Sequence, residues 1–428
     1  MADVIVMGGG LAGLAAAAAL GGAGHSVKIL EARPFLGGRA TSYESGSETI
    51  DNCQHILLRC CVNLMDFYQR LGVLDQIRFF DEFVFIEPGG RRSVMKAGRL
   101  PAPLHFTGSF AGLKFLSLGE KIAVGKGLLA IRRESSRTDL DRITMRQWLD
   151  EHGQPPRVIE RFWRQILVSA VSEELEQMAA IHGFQVFRLA FLATSDAYEM
   201  GVPAVPLGEL YGEEAWRKIG NVEIRLRTPV ERVEIRDGVV QCVVAGGEHF
   251  RADHYISALP FERVGALGLP VDVSAFKHAP IAGIHLWFDR PITDLPQATL
   301  LDRTIQWLFN KHEGRYVQLV VSASHGLTEM ARADVIALAV KELAEFFPAA
   351  KEARLEKAHV VKEVRAVFSP TPGLEEHRPG PKTAVRNLYL AGDWTRTGWP
   401  ATMEGAVRSG YLAAEAVSGL KFLLADIA

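Results

Sequence analysis

Residues 4–14 read V-I-V-M-G-G-G-L-A-G-L, a short apolar run that enters a glycine cluster and leaves it in an alanine-rich stretch. Val4 to Met7 suit a strand, and residues 11–20 suit a helix. Gly8-x-Gly10-x-x-Gly13 lies between them, with Ala12 in the first helical turn. A dinucleotide cradle needs that order. The first glycine permits the tight turn, the second lets a pyrophosphate approach the backbone, and the third lets the helix pack on the sheet, so that its N-terminus faces the phosphates. Residues 27–30 form a second strand ending at Glu31, which is placed to accept hydrogen bonds from a ribose. One β-α-β unit predicts a parallel α/β sheet.

The chain has 428 residues, more than one hydrophobic core usually serves, so two intertwined domains are expected. Apolar residues make up 48% and charged residues 23%, which excludes a disordered or fibrous protein. The 48 Lys and Arg nearly balance 50 Asp and Glu, giving −2, so nucleic acid is not an expected partner. Cys53, Cys60, Cys61 and Cys242 have no C-x-x-C spacing, so no metal site or disulfide framework is expected. Free thiols suit a reducing compartment. The N-terminus lacks the basic flank and cleavage site of a secretory signal, and the apolar run 11–20 is too short to span a bilayer. The expected location is cytoplasmic, or peripheral on the cytoplasmic face of the inner membrane.

Further along, Leu64, Phe67, Tyr68 and Leu71 recur at helical spacing, and residues 144–200 look largely helical. Asp237-Gly238 between two alternating segments is a hairpin signature. Residues 281–288 and 316–322 read as strands of a second sheet, 332–347 as a helix.

Three segments favour FAD over NAD. Glu31-Ala32-Arg33-x-x-x-Gly37-Gly38-Arg39 continues past the ribose acid into a loop that suits a two-phosphate cofactor, with Arg39 offering charge-assisted hydrogen bonds. The strand 387–391 stops at Gly392-Asp393. A helix then starts at Thr402-Met403-Glu404, and a helix N-terminus aimed at a flavin stabilises negative charge on the reduced ring. No second G-x-G-x-x-G follows a strand, so a dedicated NAD(P)H domain is not expected. An external donor or acceptor closes the redox cycle.

These stretches (V-x-G-G-G-L-A-G-L, E-A-R-x-x-x-G-G-R and Y-L-A-G-D…A-T-M-E-G-A-V-R-S-G) resemble the flavin amine oxidase and phytoene desaturase superfamily. The resemblance extends to Thr228-Pro-Val-Glu-Arg-Val233 and implies a backbone contact from Val230 to the adenine. Within the superfamily, D-N-C-Q-H-I-L-L at 51–58, followed by Cys60-Cys61 and the 63–73 segment, is similar to the squalene-associated FAD-dependent hydroxysqualene dehydroxylases. Thr402 departs from amine-oxidising relatives, which carry an aromatic residue there.

The expected fold is therefore α/β, a discontinuous Rossmann-like FAD-binding domain (1–85, 205–268 and 366–428) with an α+β substrate domain of helices over a mixed sheet (86–204 and 269–365). The resemblance implies reductive dehydroxylation of hydroxysqualene to squalene in hopanoid biosynthesis: the allylic hydroxyl leaves as water and hydride comes from reduced flavin. It also brings Gln54, His55 and Ile56 to the flavin ring. Asp51 and His55 are the candidates for the acid, or for the network that carries the proton, although Asp51 and Asn52 also suit a cap of the following helix, and His55 a satisfied buried histidine. His285 and Trp287 suit either a pocket floor or ordinary sheet packing. Alternatives are a phytoene-like polyene desaturase and a non-catalytic flavin-binding partner in an isoprenoid complex.

Residues 91–137 hold ten basic residues, against Glu120 and Glu134 alone, interleaved with Leu104, Phe106, Phe110 and Leu113. Such a segment suits a membrane surface or the upstream squalene-pathway enzymes. A solvated basic face is the simpler reading.

Overall fold

The computed structural model describes residues 1–46 and 48–427. The cradle strand Asp3–Met7 is the middle of a five-stranded parallel sheet, in spatial order Val222–Arg225, Ser26–Leu30, Asp3–Met7, His254–Ser257 and Leu388–Leu390. Its strands come from the beginning, middle and end of the chain, so this half is discontinuous. Side chains alternate across it. Val4 and Val6 pack under the helices Leu11–Gly22 and Met403–Ser418, whereas Ile5 and Met7 face Val230, Val240 and Phe250 of a three-stranded antiparallel sheet. With both faces covered, the central strand is apolar without alternation from Val4 to Met7, whereas the edge strand Val222–Arg225 alternates.

The alanines of the first helix have a packing role. Ala15 to Ala19 are all buried, and a Cβ on Gly410 of the last helix would lie 2.3 Å from the Ala12 carbonyl oxygen. Only small residues permit two helices to approach that closely. The expected hairpin joins Val230–Arg236 to Val239–Ala245, with Asp237 at φ 53° and Gly238 at φ 70°, the left-handed pair such a turn requires.

The second half is a seven-stranded mixed sheet, ordered Leu355–Phe368, His278–Phe288, Tyr316–Ser322, Trp307–His312, Gln297–Leu300, Phe83–Ile86 and Arg92–Met95. Its one parallel pair joins Gln297–Leu300 to Phe83–Ile86. Val84, Leu308 and Leu319 face the helix Arg332–Phe346, while Phe83, Trp307 and Phe309 face the helices between residues 118 and 192. The fold is thus α/β, a parallel dinucleotide-binding sheet with helices over a mixed sheet. The divisions drawn at residues 85 and 365 fall inside strands of this sheet, Phe83–Ile86 and Leu355–Phe368. A strand that completes its pairing in one sheet has no reason to change domain midway.

Among the described residues, no helix is long and apolar enough to cross a membrane.

Candidate functional site

A cavity of about 580 Å³ runs along the C-terminal ends of the parallel strands and onward to the mixed sheet. At its first end, Gly8, Gly10 and Ala12 form the wall. A Cβ placed on Gly10 meets nothing closer than Gly38 Cα at 3.9 Å, so this backbone lies open to a ligand. Gly13 does not line the cavity. A Cβ there would lie 2.0 Å from the Gly8 carbonyl, so its role is the close packing of turn and helix. Glu31, nearly buried, accepts from the Gly9 and Arg33 backbone N–H groups at 2.7 Å each, which fixes the carboxylate at the strand end. Ala32, Arg33, Gly38 and Val230 complete this end. An exposed backbone turn, a helix N-terminus and a fixed acid are the parts a dinucleotide needs.

Arg39 and Asp393 also face the cavity, but toward each other: Nη2 lies 2.5 Å from Oδ1, and Nη1 donates to the Ala366 carbonyl. The arginine expected to serve a phosphate is thus tied into the protein. Gly392, Thr402 and Met403 line the same wall. Thr402 caps the last helix, its Oγ1 accepting from Gly405 N–H at 3.0 Å. Glu404, expected near that helix N-terminus, turns away into the core and accepts from the Asn63 and Leu64 backbone N–H groups. It caps the helix Val62–Leu71, and burial pushes its carboxyl up to about 7.

The middle wall is the segment Asn52 to Ile56. His55 donates from Nδ1 to the Cys53 carbonyl at 3.0 Å, and burial holds the imidazole below its ordinary pKa, so it is neutral with Nε2 as its remaining acceptor. The Cys53 thiol is pushed up to about 12 by burial and stays protonated.

Asp51 is not on the wall. Its Oδ1 accepts from Ser42 Oγ at 2.7 Å and from Leu207 N–H at 2.9 Å, at the first turn of Leu207–Leu210, and it is 3% exposed. The hairpin Ser42–Ser45/Glu48–Asp51 turns this side chain inward, away from the reacting space. The expectation of Asp51 as an acid is therefore corrected to a structural role, as a cap of a distant helix and not of the one that follows it. Burial lowers the pKa of His55, which disfavours the imidazolium that an acid role would use. His285 and Trp287 do not line the cavity either: His285 is fully buried on the Tyr316 hydroxyl at 2.7 Å, and Trp287 stacks on Tyr316 at 4.4 Å.

Several residues on or behind the wall carry no signal in the sequence. Lys311, from the strand Trp307–His312, reaches Gln54 Oε1 at 3.0 Å and Asp51 Oδ2 at 3.5 Å, which places a cation behind the segment that bears His55. Ser169 and Ser172 come from the end of the helix Gln165–Val171. Ser169 Oγ accepts from Trp307 Nε1 at 2.7 Å, and Ser172 is held at φ 61°, a left-handed conformation unusual for serine. Ile281, Trp307, Phe309 and Val320 make the far end apolar.

Away from the cavity, Glu234, Cys242 and His249 converge on the three-stranded sheet. Cys242 Sγ donates to Glu234 Oε2 at 3.2 Å, and Arg232 Nη2 holds the other carboxylate oxygen at 2.6 Å. Hydrogen bonds and a guanidinium account for this cluster.

Residues 11–418 match the family model described as flavin containing amine oxidoreductase. The chain is 28% identical to a 15-cis-phytoene desaturase of an Oncidium hybrid cultivar, over 97% of this chain and 77% of that one. It is 26% identical to the 15-cis-phytoene desaturase of Synechococcus elongatus (97% and 95% covered) and 25% identical to a probable zeta-carotene desaturase of the same organism (97% and 98%). Among solved structures it is similar to an oxidoreductase from Methanosarcina mazei (TM-score 0.73, 17% identity, 98% and 100% covered) and to putrescine oxidase with bound putrescine (TM-score 0.74, 16%, 98% and 99%). At those identities the likeness to the two structures is one of fold.

Proposed function

Because the chain belongs to the flavin containing amine oxidoreductase family, we propose that it is an oxidoreductase of a long, apolar isoprenoid polyene, acting as a desaturase. Its cofactor is FAD, which the open glycine turn and the fixed Glu31 carboxylate fit. When bound, a flavin supplies two-electron chemistry by accepting or donating hydride.

One observation carries the desaturase reading. An aliphatic and aromatic wall stands beside an imidazole whose pKa is lowered by burial, so His55 is available on that wall as a base. Forming a new C=C bond requires a proton to leave the neighbouring carbon, and His55 Nε2 is the acceptor. Trp307, Phe309, Ile281 and Val320 exclude water and hold hydrocarbon by dispersion and burial. Cys53 stays a neutral thiol and takes no part as a nucleophile. The relatives named as phytoene and zeta-carotene desaturases support the same direction.

The reverse direction, reductive dehydroxylation of hydroxysqualene, is the second reading. It is favoured by the segment that resembles the hydroxysqualene dehydroxylases, since residues 52–56 of that segment form the middle wall. Against it, neither expected acid is well placed: Asp51 lies off the wall, and burial lowers the pKa of His55.

An anaerobic experiment separates the two. Oxidised enzyme mixed with phytoene-like polyenes is expected to bleach as the product gains a double bond. Reduced enzyme mixed with hydroxysqualene is expected to stay reduced. Reoxidation of that flavin with release of squalene, and no bleaching by polyenes, reverses the assignment.

A further inference from the structure

We propose that Glu234, Cys242 and His249 form a zinc site on the outer face of the three-stranded antiparallel sheet. They come from its three strands, Val230–Arg236, Val239–Ala245 and Glu248–Phe250. Register brings them together. Glu234 lies directly opposite Cys242, and His249 lies opposite Val244, two residues along from Cys242 on the same face. Val243, Ala245 and Phe250 take the other face and pack into the core. No short spacing in the sequence announces the set, because each member belongs to a different strand.

The distances are those of a ligand set. Zn–S bonds of about 2.3 Å and Zn–N or Zn–O bonds of about 2.0–2.2 Å place neighbouring tetrahedral ligands about 3.5 Å apart. Cys242 Sγ lies 3.2 Å from Glu234 Oε2 and 3.5 Å from His249 Nδ1, and one ligand atom of each residue lies within 4.8 Å of the other two. The guanidinium that holds this cluster also orients it. Arg232 Nη2 donates to Glu234 Oε1 at 2.6 Å and leaves Oε2 turned to the sulfur. Carboxylates that bind metals are fixed by such outer hydrogen bonds.

Thiolate, imidazole and carboxylate together select zinc over magnesium or calcium, which take oxygen ligands. On binding, the Cys242 S–H bond breaks and its proton passes to water as the Zn–S bond forms, so nothing is oxidised or reduced. Cys242 is 1% exposed whereas His249 is exposed, so the metal sits at the solvent edge with water as its fourth ligand. Ligands from three strands staple the sheet, and the last of those strands has only three residues to hold it. The first begins at Val230, which lines the cavity. The site does not depend on which reaction the cavity runs.

The test uses the FAD-loaded chain, washed with a chelator and titrated with Co²⁺. Tetrahedral Co²⁺ has ligand-field bands to the red of flavin absorption. One Co²⁺ per chain is expected to raise them, and Zn²⁺ to abolish them. Cys242→Ser and His249→Ala should each weaken Zn²⁺ binding by about 100-fold or more, beyond the effect of losing an outer partner of a ligand. Zn²⁺ should raise the denaturant midpoint of the parent chain by mass action, and leave that of Cys242→Ser unmoved. Flavin absorbance unchanged in both variants shows that the fold is kept. His249 is exposed, so its replacement tests the site even where Cys242→Ser fails to fold. A parent chain without cobalt bands, or bands that survive both substitutions, overturns the proposal and leaves the cluster to its hydrogen bonds alone.

Discussion

Arg39 and Asp393 meet in an ion pair of 2.5 Å although 354 positions separate them in the chain. The pair closes the cavity between the loop after the strand Ser26–Leu30 and the loop after Leu388–Leu390, and both residues line it. Asp393→Asn keeps the shape and removes the charge. A hydrogen bond to a charged group contributes about 1.5–3 kcal/mol, so FAD affinity is expected to fall roughly 10- to 100-fold if the pair shapes the site. Titration of the apoprotein with FAD, followed by fluorescence quenching, measures this; an unchanged Kd would show that the pair does not shape the site.

His55→Gln is expected to lower kcat by roughly 10²- to 10⁴-fold, the usual contribution of a general base, while flavin absorbance is retained. A base works in its neutral form. Since burial lowers the pKa of His55, kcat should hold steady down through the ordinary 6.5 and fall only at more acid pH. A limb centred above 6.5 would show that another group titrates.

Lys311 reaches the wall through Gln54, and so counts as a positioning residue. Lys311→Met should reduce kcat more than it raises KM, with Lys311→Arg restoring part of the loss. Asp51→Asn, by contrast, keeps an acceptor for Ser42 and Leu207 and should leave the chemical step nearly unchanged. A large drop in the single-turnover rate of Asp51→Asn would return that residue to the mechanism.

Arg378 is fully buried and binds the carbonyls of Asp393 and Thr395, together with the carboxylate of Glu375. Removing one partner of a buried charged network costs about 3–5 kcal/mol. Arg378→Met should shift the urea midpoint accordingly and loosen the Gly392-Asp393 end of the cavity, read as faster loss of FAD on dilution.

Glu404 introduces a pH dependence of stability. Burial raises its carboxyl from the ordinary 4.5 to about 7, against the opposing pull of the Asn63 and Leu64 hydrogen bonds. The folded chain therefore retains a proton that the unfolded chain releases, and stability should decline as pH rises from 4.5 to about 7, then level off. Denaturant midpoints across that range should show the decline in the parent chain and lose it in Glu404→Gln.

The dinucleotide half was legible because its requirements are local. A glycine turn at residues 8–13, an acid at the end of the next strand and the Asp237-Gly238 turn each depend on backbone angles and short-range spacing, which neighbouring residues carry. The basic, apolar segment 91–137 could also be located from composition. Its ion pairs could not, because Glu82 and Glu87 lie outside it.

By itself the sequence determined the β-α-β cradle, the FAD reading and the Asp237-Gly238 hairpin. Tertiary structure alone decided which side of the Ser42–Asp51 hairpin faces the cavity, and so removed Asp51 from the wall and left His55 on it. It also brought Lys311 to Gln54, 257 residues away, and Trp307 to Ser169, 138 residues away. The physical reason is that a side chain's orientation on a strand is set by sheet register, and register is settled by packing between segments distant in the chain.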